Sequence, residues 1–147
     1  LNSYVESKGR DIEIMKMLLR SEKDLLYDKY YYYPLGGYIR KGGEDLEIIK
    51  LLSHPSILKP DKYGFYPLRI YLERGGDDIW IIRVLYHSSL LTPDKYENYP
   101  LKIYLKNGGN NQAIVKILFH PDLLKHDEYD QLVHLYVRNG GNKEDML

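Results

Sequence analysis

The chain of 147 residues contains no cysteine. Disulfide bonds, thiolate metal sites and a cysteine nucleophile are therefore excluded. No apolar run approaches the ~20 residues that cross a bilayer, so the sequence does not predict a membrane protein, and we expect a cytoplasmic location. The formal net charge is zero, because 21 basic residues balance 21 acidic residues. A neutral chain lacks the basic character that is typical of nucleic-acid-binding domains.

What the chain does contain is a repeat of 33 residues, clearest between segments 61–76 and 94–109. Its register is carried by aspartate, proline and tyrosine at fixed steps: Asp28, Asp61, Asp94 and Asp127; Pro34, Pro67 and Pro100; Tyr38, Tyr71 and Tyr104. Units of this size cannot bury an apolar face alone and stack on one another. We predict one domain, 1–147, with units at 1–27 (partial), 28–60, 61–93, 94–126 and 127–147 (partial), and we expect the chain to be a segment of a longer protein.

Each unit predicts a turn, a first helix, a Gly-Gly corner and a second helix. In the third unit, the first helix is predicted from about Pro67 to Arg74, because proline suits the first helical turn and Gly75-Gly76 accepts left-handed backbone. Asp77-Asp78 is predicted to cap a second helix whose wide apolar pattern implies burial. Both helices are expected to be near ten residues long.

Periodic polar residues are predicted to be architectural. His54, His87 and His120 lie one to a unit, and neighbouring helices are ~8–10 Å apart, so these side chains cannot share one metal ion with bonds of ~2 Å. We expect them to cap the ends of the second helices. Acid pairs such as Asp77-Asp78 also recur with the unit, and neither a Gly-x-Ser-x-Gly elbow nor a phosphate-binding loop is present. We therefore expect a protein that is not an enzyme, without metal or cofactor.

The units resemble the ankyrin repeat, which has a 33-residue period, a turn with two helices and the signature Thr-Pro-Leu-His-x-Ala. The third unit carries the resemblance over residues Asp61, Gly64, Pro67, Leu68, Gly75 and the Ile81-Ile82-x-x-Leu85 core. The signature is divergent, since tyrosine replaces its threonine and its alanine. The form Leu-x-x-Tyr-[Leu/Ile] looks like the variant of poxviral ankyrin proteins. The implied fold is an all-α repeat solenoid, an ankyrin-like stack of helix-turn-helix units with β-hairpin-like fingers.

The ankyrin resemblance implies protein binding on the fingers and along a concave groove beside the first helices. The finger residues carried over are Lys29, Tyr30, Tyr32, Lys62, Tyr63, Phe65, Lys95, Tyr96, Asn98, Glu128 and Tyr129. The residues carried over at the helix edge are Arg40, Lys41, Glu73, Arg74, Lys106, Asn107, Arg138 and Asn139. Tyrosine and arginine commonly anchor interfaces. The periodic tyrosines Tyr38, Tyr71 and Tyr104 are instead expected to fill gaps in the stack.

Cations outnumber acids on this implied face, which would attract an acidic or phosphorylated peptide or an acidic protein surface. An ordinary solvated face, with acids at helix starts, explains the same pattern. The partner is thus expected to be a protein, without a small-molecule substrate or a membrane. The poxviral likeness implies the target-recognition part of a larger host-directed adaptor in the host cytoplasm. An alternative stays open, in which Lys and Arg bind phosphates of single-stranded nucleic acid and finger tyrosines stack on bases; zero net charge argues against it.

Overall fold

Short helices arranged in pairs make up the described part of the chain. A computed structural model describes residues 1–27, 32–61, 63–87, 90, 99–120 and 129–146. Among these residues the α-helices are α1 (Asn2–Glu6), α2 (Ile12–Leu18), α3 (Pro34–Arg40), α4 (Leu46–Leu52), α5 (Pro67–Glu73), α6 (Ile79–Leu85), α7 (Pro100–Lys106), α8 (Gln112–Leu118) and α9 (Tyr129–Arg138). Short 3-10 turns lie at Glu22–Leu25, Pro55–Ile57 and Lys143–Met146. The same residues contain no β-strand.

The helices form two layers that follow the order of the sequence. First helices pack in succession, α1 on α3, α3 on α5, α5 on α7 and α7 on α9, while second helices pack α2 on α4, α4 on α6 and α6 on α8. The two helices of each central pair also contact each other. This sequential, all-helical packing is that of a helical repeat stack. Buried leucine, isoleucine, valine and tyrosine fill the space between the layers.

Proline and glycine set the limits of the first helices, as the sequence predicts. Tyr66, which precedes Pro67, is extended, with φ of −152° and ψ of 157°, because the proline ring disfavours helical backbone before it. Helix α5 then ends at Glu73, one residue short of the predicted end. Gly75 follows with φ of +83°, a region that residues with a Cβ atom enter at a cost.

The second glycine of each corner is required by a tyrosine ring. A Cβ atom at Gly76 would lie 2.4 Å from the ring of Tyr71, and the Tyr71 hydroxyl accepts a hydrogen bond from the Asp78 N–H at 3.0 Å. Tyr38 and Tyr104 repeat both contacts in their own units. All three side chains are buried, so their predicted packing role is confirmed.

The second helices begin at the predicted caps. The Asp78 carboxylate accepts hydrogen bonds from the N–H groups of Trp80 and Ile81, at 2.8 and 3.4 Å. Asp45 and Asn111 cap α4 and α8 in the same way. Each cap satisfies N–H groups that have no partner inside the helix. The buried stripe of each second helix, for example Ile81, Ile82 and Leu85 of α6, is also as predicted.

Two predictions are wrong: the helix lengths and the capping role of His54. The described first and second helices of the central units are seven residues long, not near ten. Helix α4 ends at Leu52 because Ser53 is extended and its hydroxyl donates to the Ile49 carbonyl at 2.6 Å. His54 therefore does not cap this helix. Its Nδ1 accepts the Ser56 N–H at 3.2 Å and so caps the 3-10 turn that begins at Pro55.

The fingers are only partly described. The segment from Asp61 to Phe65, whose residue 62 is not among the described residues, is a turn closed by a hydrogen bond from the Asp61 N–H to the Phe65 carbonyl, 2.8 Å long. This turn lies where the sequence predicts a β-hairpin-like finger, and its described residues form no β-strand. In the described part of the chain, no helix has both the length and the apolar character to cross a bilayer.

Candidate functional site

An open cavity of about 430 Å³ lies between the second and third units, beside α3 and α5. We call it the aromatic groove, and its lining residues are Tyr32, Tyr33, Arg40, Asp61, Tyr63, Phe65, Ile70 and Glu73. Five of these are residues that the sequence predicts for protein binding: Tyr32, Arg40, Tyr63, Phe65 and Glu73. Its size falls within the range of ligand-binding clefts.

The turn before α5 leaves two of the groove's aromatic side chains exposed to solvent. Oδ1 of Asp61 accepts hydrogen bonds from the N–H groups of Tyr63 and Phe65, at 2.8 and 3.0 Å, and Gly64 has φ of +80°. The side chains of Tyr63 and Phe65 are consequently 61% and 44% exposed. Such exposure of large rings, fixed by a short turn, provides contact area at a low entropic cost.

Arg69 links the turn before α5 to the end of this helix. The Arg69 guanidinium lies 4.8 Å from the centre of the Phe65 ring, donates to the Gly64 carbonyl at 3.0 Å and donates to Oε1 of Glu73 at 2.7 Å. Glu73 lines the groove but already accepts a charge-assisted hydrogen bond. The turn and α5 are thereby joined by one side chain.

The opposite wall depends on Gly36, one of two glycines within α3. Gly36 and Gly37 stand where α5 carries Arg69 and Ile70. A Cβ atom at Gly36 would lie 2.9 Å from the Tyr33 ring, so the missing side chain is what allows Tyr33 to lie against the helix, where it is only 3% exposed. Each interior glycine costs a helix ~1 kcal/mol relative to alanine, which makes this pair a costly local exception to the repeat.

Tyr33 also carries a buried hydroxyl that forms no hydrogen bond within the described residues. Burial raises the pKa of this hydroxyl above its ordinary value, and the nearby phenol of Tyr27 and carboxylate of Asp61 act in the same direction, against the opposing charge of Arg40. The group is therefore a neutral O–H donor at physiological pH. Its ring makes an edge contact with Tyr27 at 4.9 Å.

Arg40 closes the rim of the groove at the end of α3. Its guanidinium lies 5.7 Å from the centre of the Tyr32 ring, a cation–π distance, and Tyr32 is 50% exposed. Among the described residues, none accepts a hydrogen bond from Arg40 or forms an ion pair with it. The Arg40 guanidinium is thus exposed beside the cavity, where it can donate hydrogen bonds to a ligand.

Two of the other predicted cations, Arg74 and Lys41, contact neighbouring units, and two are exposed. Arg74 donates to the Ile39 carbonyl at 3.1 Å and to Glu44 at 2.5 Å, so it joins the second and third units. Lys41 lies 4.0 Å from Glu6, an exposed pair that contributes little. Lys106 and Arg138 are exposed at the ends of α7 and α9, where they continue the edge on which Arg40 lies.

Three further predicted residues use their polar groups internally. Asn139 donates to the carbonyls of Leu105 and Gly109, at 2.8 and 2.9 Å, and so links the last two units. Asn107 donates to Ile103 at the end of its own helix, and the Tyr129 hydroxyl donates to the Met146 carbonyl. The remaining predicted residues lie outside the described residues: Lys29, Tyr30, Lys62, Lys95, Tyr96, Asn98 and Glu128.

Sequence reasoning missed Tyr33, Asp61 and Ile70 as groove residues. A usable signal was present, because Gly36-Gly37 interrupts the pattern of a long polar residue followed by isoleucine in α5 and α7. It also missed Trp80, which is 60% exposed on α6 and lies 5.3 Å from the Arg83 guanidinium. Trp80 belongs to the layer of second helices, away from the helix edge that lines the groove.

The described residues contain no group of three or more histidine, aspartate or glutamate side chains placed to hold a metal ion. Comparison with protein-family models, curated proteins and solved structures finds no match to this chain.

Proposed function

We propose that this chain is a protein-interaction module that binds a peptide segment of a partner protein in the aromatic groove. The observation that supports this function is the exposure of Tyr32, Tyr63 and Phe65 around one cavity. Large exposed apolar surfaces with a polar rim are characteristic of interaction sites, and aromatic side chains in such places commonly dominate binding energy.

The exposed area indicates what kind of contact is involved. Aromatic side chains bury ~150–250 Å² each, so the exposed fractions of the three rings leave roughly 300 Å² of aromatic surface for a ligand. A standard protein interface buries ~800 Å² per partner. The groove is therefore the centre of an interface, and its periphery extends along the helix edge toward Lys106 and Arg138.

The proposal includes an ankyrin-like geometry for the stack. The 33-residue step, the paired short helices, the glycine corners with positive φ and the turn before Pro67 all agree with it. In that geometry, turns and first helices share one concave side, which is where the aromatic groove lies. The chain then acts as the target-recognition part of a larger adaptor, in the cytoplasm of a host cell, and has no catalytic role.

A library of random short peptides displayed on phage would test this function. Selected peptides should bind the wild-type chain and lose at least roughly thirtyfold in affinity toward a Tyr63→Ser/Phe65→Ser variant, the loss expected if even one of the two is a hot-spot residue worth ~2 kcal/mol. Trp80→Ser is the matched control, because Trp80 is as exposed as Tyr63 but lies on the other helix layer. This control should leave affinity unchanged.

Equal affinity of the selected peptides for the wild-type chain and the Tyr63→Ser/Phe65→Ser variant would refute the groove as the binding site.

A titration with single-stranded RNA distinguishes the alternative function. Steeply salt-dependent binding that Tyr63→Ser abolishes would favour nucleic acid as the ligand, and weak binding that ignores this substitution would count against it.

A further inference from the structure

The hydrogen-bonding groups on the groove wall are unevenly satisfied. The two carboxylates that line the cavity already accept hydrogen bonds, Asp61 from two main-chain N–H groups and Glu73 from Arg69. Two donors on the opposite wall do not donate to any described residue. They are the guanidinium of Arg40 and the hydroxyl of Tyr33.

Arg40 sets the chemistry of a ligand. Its guanidinium presents five N–H groups in a fixed plane that suits a carboxylate. The hydroxyl of Tyr33 has almost no accessible surface, so a ligand in the groove does not reach it. Arg40 therefore favours an occupant that brings acceptor oxygens, and an occupant that brings only donors would leave it unsatisfied.

The aromatic faces argue against a cationic ligand. Arginine guanidinium groups already lie over two rings of the groove, Arg40 over Tyr32 and Arg69 over Phe65. A lysine or methylated lysine that entered between these rings would meet two like charges. A neutral aromatic or large aliphatic side chain meets no such cost and can pack against the exposed faces of Tyr63 and Phe65.

We infer that the aromatic groove selects peptides in which an aspartate or glutamate is adjacent to an aromatic or large aliphatic residue. The apolar side chain fills the cavity between Tyr63 and Phe65, and the neighbouring carboxylate pairs with Arg40. This inference rests on the proposed function and specifies the class of its ligand.

The test compares two synthetic peptides of identical sequence, one with Phe-Asp and one with Phe-Asn at the centre, titrated against the wild-type chain by NMR. We expect the Phe-Asp peptide to bind roughly tenfold more tightly, the effect of one charge-assisted hydrogen-bonded pair. Arg40→Gln should remove this preference and leave the affinity for Phe-Asn unchanged. Arg83→Gln is the matched control, since Arg83 also lies over an exposed aromatic ring, and it should preserve the preference.

Tyr33→Phe provides a second measurement. It keeps the ring and removes the unpartnered hydroxyl, which is buried, so the variant should withstand more urea than the wild-type chain and bind the Phe-Asp peptide with the same affinity. Equal affinities for the two peptides, with binding still abolished by Tyr63→Ser, would overturn the ligand class and leave the proposed function standing. Binding that is insensitive to Tyr63→Ser, or no binding at all, would overturn both.

Discussion

The two glycines inside α3 should respond in opposite ways to substitution by alanine. Each gains ~1 kcal/mol of helix propensity when a methyl group is added. Their surroundings differ, because the new Cβ atom at Gly37 would lie 2.5 Å from Oε1 of Glu6, whereas the one at Gly36 would lie 2.9 Å from the ring of Tyr33. The difference between a mobile carboxylate and a buried ring decides the sign.

For Gly37→Ala, the obstacle is the far end of a side chain that is 44% exposed and can rotate into solvent. The next contact, with Val5 at 3.3 Å, needs a shift of only a few tenths of an ångström. We therefore expect Gly37→Ala to stabilise the fold by about 0.5–1 kcal/mol.

For Gly36→Ala, the ring of Tyr33 is buried and must be displaced. Overpacking of this kind costs ~1–3 kcal/mol, which exceeds the gain in propensity, so the net effect should be a loss of up to about 2 kcal/mol. Because Tyr33 is a wall of the aromatic groove, affinity for the selected peptides should fall as well. With Tyr33→Ala as background, Gly36→Ala should instead stabilise by about 1 kcal/mol.

Urea unfolding followed by far-UV circular dichroism measures all four variants, and peptide titration measures the groove. The reasoning is refuted if the two single glycine variants shift stability in the same direction. It is also refuted if the effect of Gly36→Ala is the same with and without the Tyr33 ring.

Three further outcomes follow from the corners, the caps and the buried phenols. Gly76→Ala should cost about 2 kcal/mol or more, because its Cβ atom would lie 2.4 Å from the buried Tyr71 ring. Gly75→Ala has open space around it but φ of +83°, so it should cost about 1–2 kcal/mol from backbone strain alone. Urea unfolding midpoints compare the two variants, and a Gly76→Ala variant as stable as the wild type would contradict the ring contact. Asp78→Ala should cost about 1 kcal/mol by removing the cap of α6, whereas Asp78→Asn should retain most of the stability. Equal losses of stability in urea for the two variants would exclude capping as the cause. Burial and then a hydrogen bond to a carboxylate raise the pKa of Tyr136 to about 12. Because an unfolded tyrosine loses its proton near pH 10, the free energy of unfolding should fall as pH rises from about 10 to 12. The fall should be shallower in Tyr136→Phe, and an identical pH profile of the two proteins would contradict the prediction.

The sequence predicts most of the local structure because each determinant acts within a few residues. Pro67 marks the start of α5, Gly75 its corner, and Asp78 the start of α6, and all three lie where the pattern places them. The predicted helix lengths were wrong because the ends of the second helices are set by contacts that the sequence pattern does not show. They depend on where Ser53 and His54 turn the backbone away from α4, and histidine in sequence gives no indication of which helix end it will cap.

The groove was predicted only in part. Its exposed members, Tyr63 and Phe65, were among the residues predicted for protein binding, and both are exposed in the structure. Its shape depends instead on how the Tyr33 ring packs against the backbone at Gly36, and the sequence pattern does not specify the position of that ring. A pattern of spacing identifies which positions are unusual, and packing alone shows that they enclose a cavity.

The distribution of polar contacts explains why binding should be centred on one place in a repetitive molecule. Most polar groups at recurring positions serve the stack: the hydroxyls of Tyr38 and Tyr71 bind the following helix starts, and Arg74 and Asn139 bind carbonyls of the preceding unit. A partner could recruit these groups only by breaking contacts that hold the units together. Arg40, Lys106 and Arg138 lie exposed on the same edge, and of these three only Arg40 lines the aromatic groove. It stands beside exposed rings and next to the glycines that interrupt the repeat. Recognition at this point therefore costs the fold little, which is the physical reason to seek the partner there.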